Sequence, residues 1–123
     1  MSDMKKAANM AVVAVEAIDD KLGEEIKIID ISQISTLADY FIIAHGKNKP
    51  QIQAIIDQVE DKMHENDYKI LNKEGYQTAS WVLLDYANII VHVFNKDDRL
   101  FYDLERIWAD GKEITLEQLK EMA

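Results

Sequence analysis

Residues 80–94 read SWVLLDYANIIVHVF, two apolar runs on either side of a polar break at Tyr86-Ala87-Asn88. Runs of this length, rich in Val, Ile and aromatic residues and interrupted by a turn signal, predict a β-hairpin. A hairpin with one wet face alternates apolar and polar residues. Here both faces are apolar. Trp81, Leu83 and Asp85 fall on one side of the first strand and Val82 and Leu84 on the other, while Ile89, Val91 and Val93 oppose Ile90, His92 and Phe94. Each face requires cover, and the question is what supplies it on the second.

Working outward, RLFYDLERIW continues the chain as a helix expected over 97–108, with Leu100, Phe101, Leu104, Ile107 and Trp108 as its apolar residues. TLEQ at 115–118 has capping-box spacing and predicts a short helix near the C-terminus. Before the hairpin, YKIL (68–71) is expected as a short strand and NKEGYQTA as a loop. Ile52, Ile55, Ile56, Val59 and Met63 repeat at helical spacing, behind a cap at Asn48 or Lys49 and with Pro50 in the first turn. YFIIA (40–44) reads as a buried strand and IKIIDI (26–31) as a β-branched one. Ala7, Met10, Ala11, Ala14, Val15 and Ile18 stripe a first helix expected from Asp3 to Lys21, which Gly23 stops. The order is α-β-β-α-β-β-β-α plus a tail helix. That predicts an α/β domain built on a mixed five-stranded sheet flanked by helices, in two layers or three thin ones. So few amphipathic helices leave part of the hairpin's second face for a partner.

A chain of 123 residues fits one domain, and 48% apolar with 30% charged residues is ordinary for a globular protein. No stretch approaches the ~20 apolar residues of a membrane span. The N-terminal AANMAVVAVEAI follows two lysines, but Glu16 and Asp19 break it up, so it reads as an amphipathic helix and not as a signal peptide. The absence of cysteine excludes disulfides and thiolate metal sites and fits a reducing cytoplasm. A net charge of −9 argues against a general phosphate-backbone binder and suits association with a basic protein surface.

Catalytic motifs are sparse. The histidines His45, His64 and His92 show no metal-site spacing, and His92, inside a strand, is expected to be structural. HGKNKPQ (45–51) places a glycine and two lysines at a helix N-terminus, but without a phosphate-loop pattern it reads as a turn. Asp97-Asp98 are expected to open a helix, and no DxD or DxE falls on a predicted strand to hold magnesium. Ser32, Ser35, Thr36 and Ser80 lie in no nucleophile elbow. What remains is surface, with Trp81 beside Leu84, Asp85 and Tyr86 as an interface anchor or a core residue.

TLADYFIIAHGKNKPQIQAI (36–55), EGYQTASWVLLDYANIIVHVF (74–94) and RLFYDLERIW (99–108) together resemble the ribosomal silencing factor, or Iojap-like, family. The resemblance runs from the first helix to Asp110. It implies one Iojap-like domain over 1–110, with 111–123 as a tail outside it, and a fold shaped like the nucleotidyltransferases without their catalytic motif. It also implies a non-enzymatic, cytoplasmic role without cofactor. Such a factor binds the large ribosomal subunit through its universal protein fourteen, blocks joining of the small subunit, and represses translation chiefly under nutrient limitation. By position, the family's docking residues fall on Trp81, Leu84, Asp85 and Tyr86. Two departures stand out: Ala87-Asn88 replaces the family's common Gly-Asp turn, and His45 replaces a small residue or serine. The alternatives are a nucleotide-binding or nucleotidyltransferase-like enzyme, and a homodimer of the free protein through the same apolar face.

Overall fold

The computed structural model describes residues 4–123, so the expected helix start at Asp3 lies outside the described residues. The chain runs α1 (Met4–Asp20), β1 (Glu24–Asp30), β2 (Tyr40–Gly46), α2 (Lys49–Glu65), β3 (Asn72–Glu74), β4 (Trp81–Asp85), β5 (Ile89–Asn95), α3 (Lys96–Tyr102), α4 (Leu104–Ile107), β6 (Lys112–Ile114) and α5 (Leu116–Met122). One sheet of six strands, ordered β3-β4-β5-β2-β1-β6, carries the fold. Its centre is a parallel pair, β2 with β5, and every other pairing is antiparallel. Strands buried on both faces explain why YFIIAHG and IIVHVF carry no polar alternation.

One face is thickly covered. Tyr40, Ile42, Val82, Leu84, Ile89, Val91 and Val93 pack beneath α1, α2 and α5 in a single core. The two long helices place their stripes as expected: Ile52, Ile55, Ile56, Val59 and Met63 of α2 are all buried. Asn48 caps α2 by accepting from the Gln51 N–H at 2.9 Å. The opposite face holds a smaller core of Ile29, Ile31, Phe41, Ile43, Ile90, Phe94 and Leu104, with Trp81, Leu83 and Trp108 half-buried against it. Among the described residues, the helices that cover it are α3 and α4, seven and four residues long. At 1.5 Å per residue they reach roughly 10 and 6 Å, against about 24 Å for the width of six strands.

Three sequence expectations change. The strand placed at 68–71 forms instead at Asn72–Glu74, because pairing with Leu83, Leu84 and Asp85 sets the register. The expected helix over 97–108 is two helices, broken where Asp103 turns left-handed (φ 48°, ψ 50°) and its N–H closes on the Arg99 carbonyl. The sheet has six strands instead of five. Lys112–Ile114, expected in a tail, pairs antiparallel with Ile28–Asp30, and α5 follows with its Thr115/Gln118 capping box complete and Leu119 buried. The hairpin turn keeps its place, and Ala87 takes the left-handed conformation there (φ 70°). The Asn88 N–H donates to the Tyr86 carbonyl at 2.9 Å, a three-residue γ-turn, while Asp85 Oδ1 accepts from the Ala87 N–H.

Candidate interaction face

β4 alternates, so its side chains divide between the two faces. Val82 and Leu84 turn toward α2, and Trp81, Leu83 and Asp85 toward the thinly covered side. The four docking residues expected from the sequence therefore do not share a surface. Leu84 is 0% exposed, and Tyr86 is 3% exposed in the same core. Burial pushes the Tyr86 phenol well above its ordinary pKa. These two side chains lie in the core under α2 and not at the surface. Trp81 and Asp85 stay within reach of a partner.

Trp81 is the centre of an aromatic group. Its ring stacks on Phe94 at 5.0 Å and leans on Tyr102 of α3 at 4.9 Å, and Tyr102 meets Phe101 edge-on at 5.2 Å. Below, Phe41 meets both His92 (4.8 Å) and Trp108 (4.9 Å) in T-shaped contacts. The Trp81 indole N–H donates to His92 Nδ1 at 3.1 Å. An indole nitrogen can only donate, so Nδ1 carries the lone pair and the imidazole proton sits on Nε2. Nε2 is buried without a hydrogen-bond partner, and burial lowers the His92 pKa to about 3. His92 is thus a neutral core histidine, as its place in the strand led one to expect.

Around this group most apolar residues of α3 and α4 point outward, Leu104 alone of them being buried. Phe101 is 80% exposed, Leu100 72% and Ile107 67%. The apolar spacing in RLFYDLERIW suggested a helix burying these residues. The left-handed Asp103 instead re-aims the chain, and the residue that α3 buries is Arg99. No signal in the sequence marked Arg99 as an inward group, because its partners Glu24, His45 and Glu105 come from three separate segments.

The possible anion cradle at 45–51 is filled by the chain itself. Gln51 Oε1 accepts from the Lys47 N–H, and Gln51 Nε2 donates to the Lys21 and Leu22 carbonyls. Among the described residues no group of three or more His, Asp or Glu is placed to hold a metal ion, and no helix is long and apolar enough to cross a membrane.

Comparison with known proteins agrees with this architecture. The family model described as "Ribosomal silencing factor during starvation" matches residues 4–123. The ribosomal silencing factor RsfS of Bacillus subtilis (strain 168) is 44% identical over 99 residues, 80% of this chain and 84% of that one. The chloroplastic protein Iojap of Arabidopsis thaliana is 31% identical over 114 residues, 93% of this chain and 47% of that protein. A crystal structure from Bacillus halodurans superposes with a TM-score of 0.79 at 37% identity, covering 88% of this chain and 98% of that one. With one family model spanning both helical layers and the whole six-stranded sheet, the chain belongs to the ribosomal silencing factor family.

Proposed function

We propose that this protein docks on the large ribosomal subunit through its universal protein fourteen, using the thinly covered sheet face. A rigid body seated there blocks the small subunit and represses translation, chiefly when nutrients are scarce. The observation that carries this reading is the incomplete second layer: Trp81 is half-buried against Tyr102, which in turn meets Phe101, and Phe101 and Leu100 are mostly exposed. Contiguous exposed apolar side chains of this kind mark an interaction site, and Trp and Tyr are favoured as its anchors. Asp85 presents a carboxylate on the same side, and the net charge of −9 favours encounter with a basic ribosomal protein. Leu84 and Tyr86 act from beneath by holding β4 in place.

The test is co-sedimentation of the full chain, wild type beside Trp81→Ala, with separated subunits and with assembled ribosomes. Wild type is expected on the large subunit alone. Removal of the Trp anchor is expected to weaken binding by roughly 30-fold or more, as loss of a ~2 kcal/mol hot spot does. Folded wild type that sediments with neither subunit would overturn the reading.

A further inference from the structure

Arg99 turns into the protein from α3 and is 5% exposed. Its Nε donates to Glu105 Oε1 at 3.0 Å, and its Nη1 lies 2.9 Å from His45 Nδ1 and 3.4 Å from the Glu24 carbonyl. On the other side of the ring, His45 Nε2 stands 3.4 Å from the Glu24 carboxylate. An irregularity in β1, where Glu25 is left-handed (φ 46°), accompanies the pairing of Glu24 with His45 across the strands. A guanidinium has protons and no lone pair to offer. His45 Nδ1 must therefore be the accepting nitrogen, and the imidazole proton sits on Nε2, toward Glu24.

Neutral His45 thus links β1 and β2 to α3, and Arg99 carries the link on to α4. A second proton would place an N–H opposite the guanidinium and set two cations in contact where solvent screens little. The charged groups facing the ring act in both directions. Arg99 and Lys96 of α3 oppose the proton, and Glu24 and Glu25 of β1 favour it. Burial and Arg99 outweigh them, holding His45 below the ordinary imidazole range. Glu105 of α4 is paired with Arg99 itself. Arg99 Nη2 is buried without a partner, so the closed arrangement is incompletely compensated.

The next residues along α3 are Leu100, Phe101 and Tyr102, and Tyr102 lies against Trp81. We propose that Arg99 is a positioning residue for the docking face and that His45 is its latch, releasing α3 when the ring takes up a proton. The inference rests on the reading of this face as the docking surface.

Two measurements on the full chain separate the claims: hydrogen exchange of α3 amides in the free protein, and co-sedimentation with large ribosomal subunits, each from about pH 7.5 to about pH 5. Opening frees His45 to its ordinary pKa. The α3 protection factors are therefore expected to fall as pH drops below about 6.5, by up to about tenfold per unit, and more than those of α1. His45→Gln keeps an acceptor for Arg99 and a donor for Glu24 but does not titrate, so its profile is expected to be flat. His45→Asn repeats the test if the longer amide unfolds the chain. Subunit binding by wild type is expected to weaken over the same pH range, and binding by the amide variant to hold. A pH-independent wild-type α3, or a slope that survives in the amide variant, overturns the latch. A slope in exchange with pH-independent binding overturns the positioning role. A slope in exchange with no subunit binding at any pH overturns the docking reading and leaves the latch standing.

Discussion

Trp81 pairs with Phe94 across the β4–β5 ladder, and its indole N–H reaches diagonally to His92 Nδ1 at 3.1 Å. This contact fixes the Trp81 ring, the histidine tautomer and the separation of two strands at once. It also means that the proposed anchor is braced from behind before any partner arrives, which lowers the ordering cost of binding.

Trp81→Phe keeps an aromatic ring against Phe94 but leaves the buried His92 Nδ1 without a donor. Stability is expected to fall by about 1–2 kcal/mol, the usual cost of an orphaned buried acceptor. Urea unfolding at neutral pH measures it, and a double variant with His92→Phe is expected to recover part of the loss.

His92 sets an acid limit. Its native pKa of about 3 lies below the ordinary imidazole value of 6.5, so the unfolded chain binds the extra proton first. Its stability contribution is complete above pH 6.5 and is lost as pH falls from there toward about 3, with a slope near 1.4 kcal/mol per unit. Unfolding free energies measured across that range are expected to lose this one-proton slope in His92→Gln.

The two sides of the sheet should respond differently. Leu84→Ala removes a fully buried side chain under α2 and is expected to cost about 2–5 kcal/mol of stability. Phe101→Ser removes an 80% exposed one, and its stability is expected to stay within about 0.5 kcal/mol of wild type. Phe101→Ser is the variant expected to lose large-subunit binding in a sedimentation assay while its urea midpoint is unchanged.

Ala87 holds the γ-turn with φ 70°, a region that alanine enters at a cost of roughly 1–2 kcal/mol. Ala87→Gly relieves this and gives back part of it as chain entropy, so a net gain of about 0.5–1 kcal/mol is expected. A raised urea midpoint with unchanged slope would show it.

Periodicity made the helical layer over the first face legible. The stripes of α1 and α2 and the Asn48 and Thr115 caps are local patterns, and they survive in the structure. The doubly apolar hairpin correctly required a second layer. What periodicity could not show was how thin that layer is. A left-handed Asp103 has the same sequence signature as a helical one, and α3 buries Arg99 while Leu100 and Phe101 face out. The misplaced third strand has a similar cause: Asn72–Glu74 is polar and exposed, and only its pairing with β4 makes it a strand. Resemblance named Trp81, Leu84, Asp85 and Tyr86 together, and of these Trp81 and Asp85 lie on the thinly covered side of β4. Leu84 and Tyr86 were separated from them by the two-residue alternation of a strand and by the turn.

The parallel pairing of β2 with β5 at the middle of the sheet sets how the molecule assembles. Tyr40 meets Ile89, so a loop of about fifty residues must close before the central ladder exists. Both hydrophobic layers rest on these two strands, and neither layer has a platform until that closure occurs. Such high contact order predicts folding in milliseconds or slower and a single cooperative transition. A sheet half-built around the β4–β5 hairpin alone would expose both of its apolar faces to other chains.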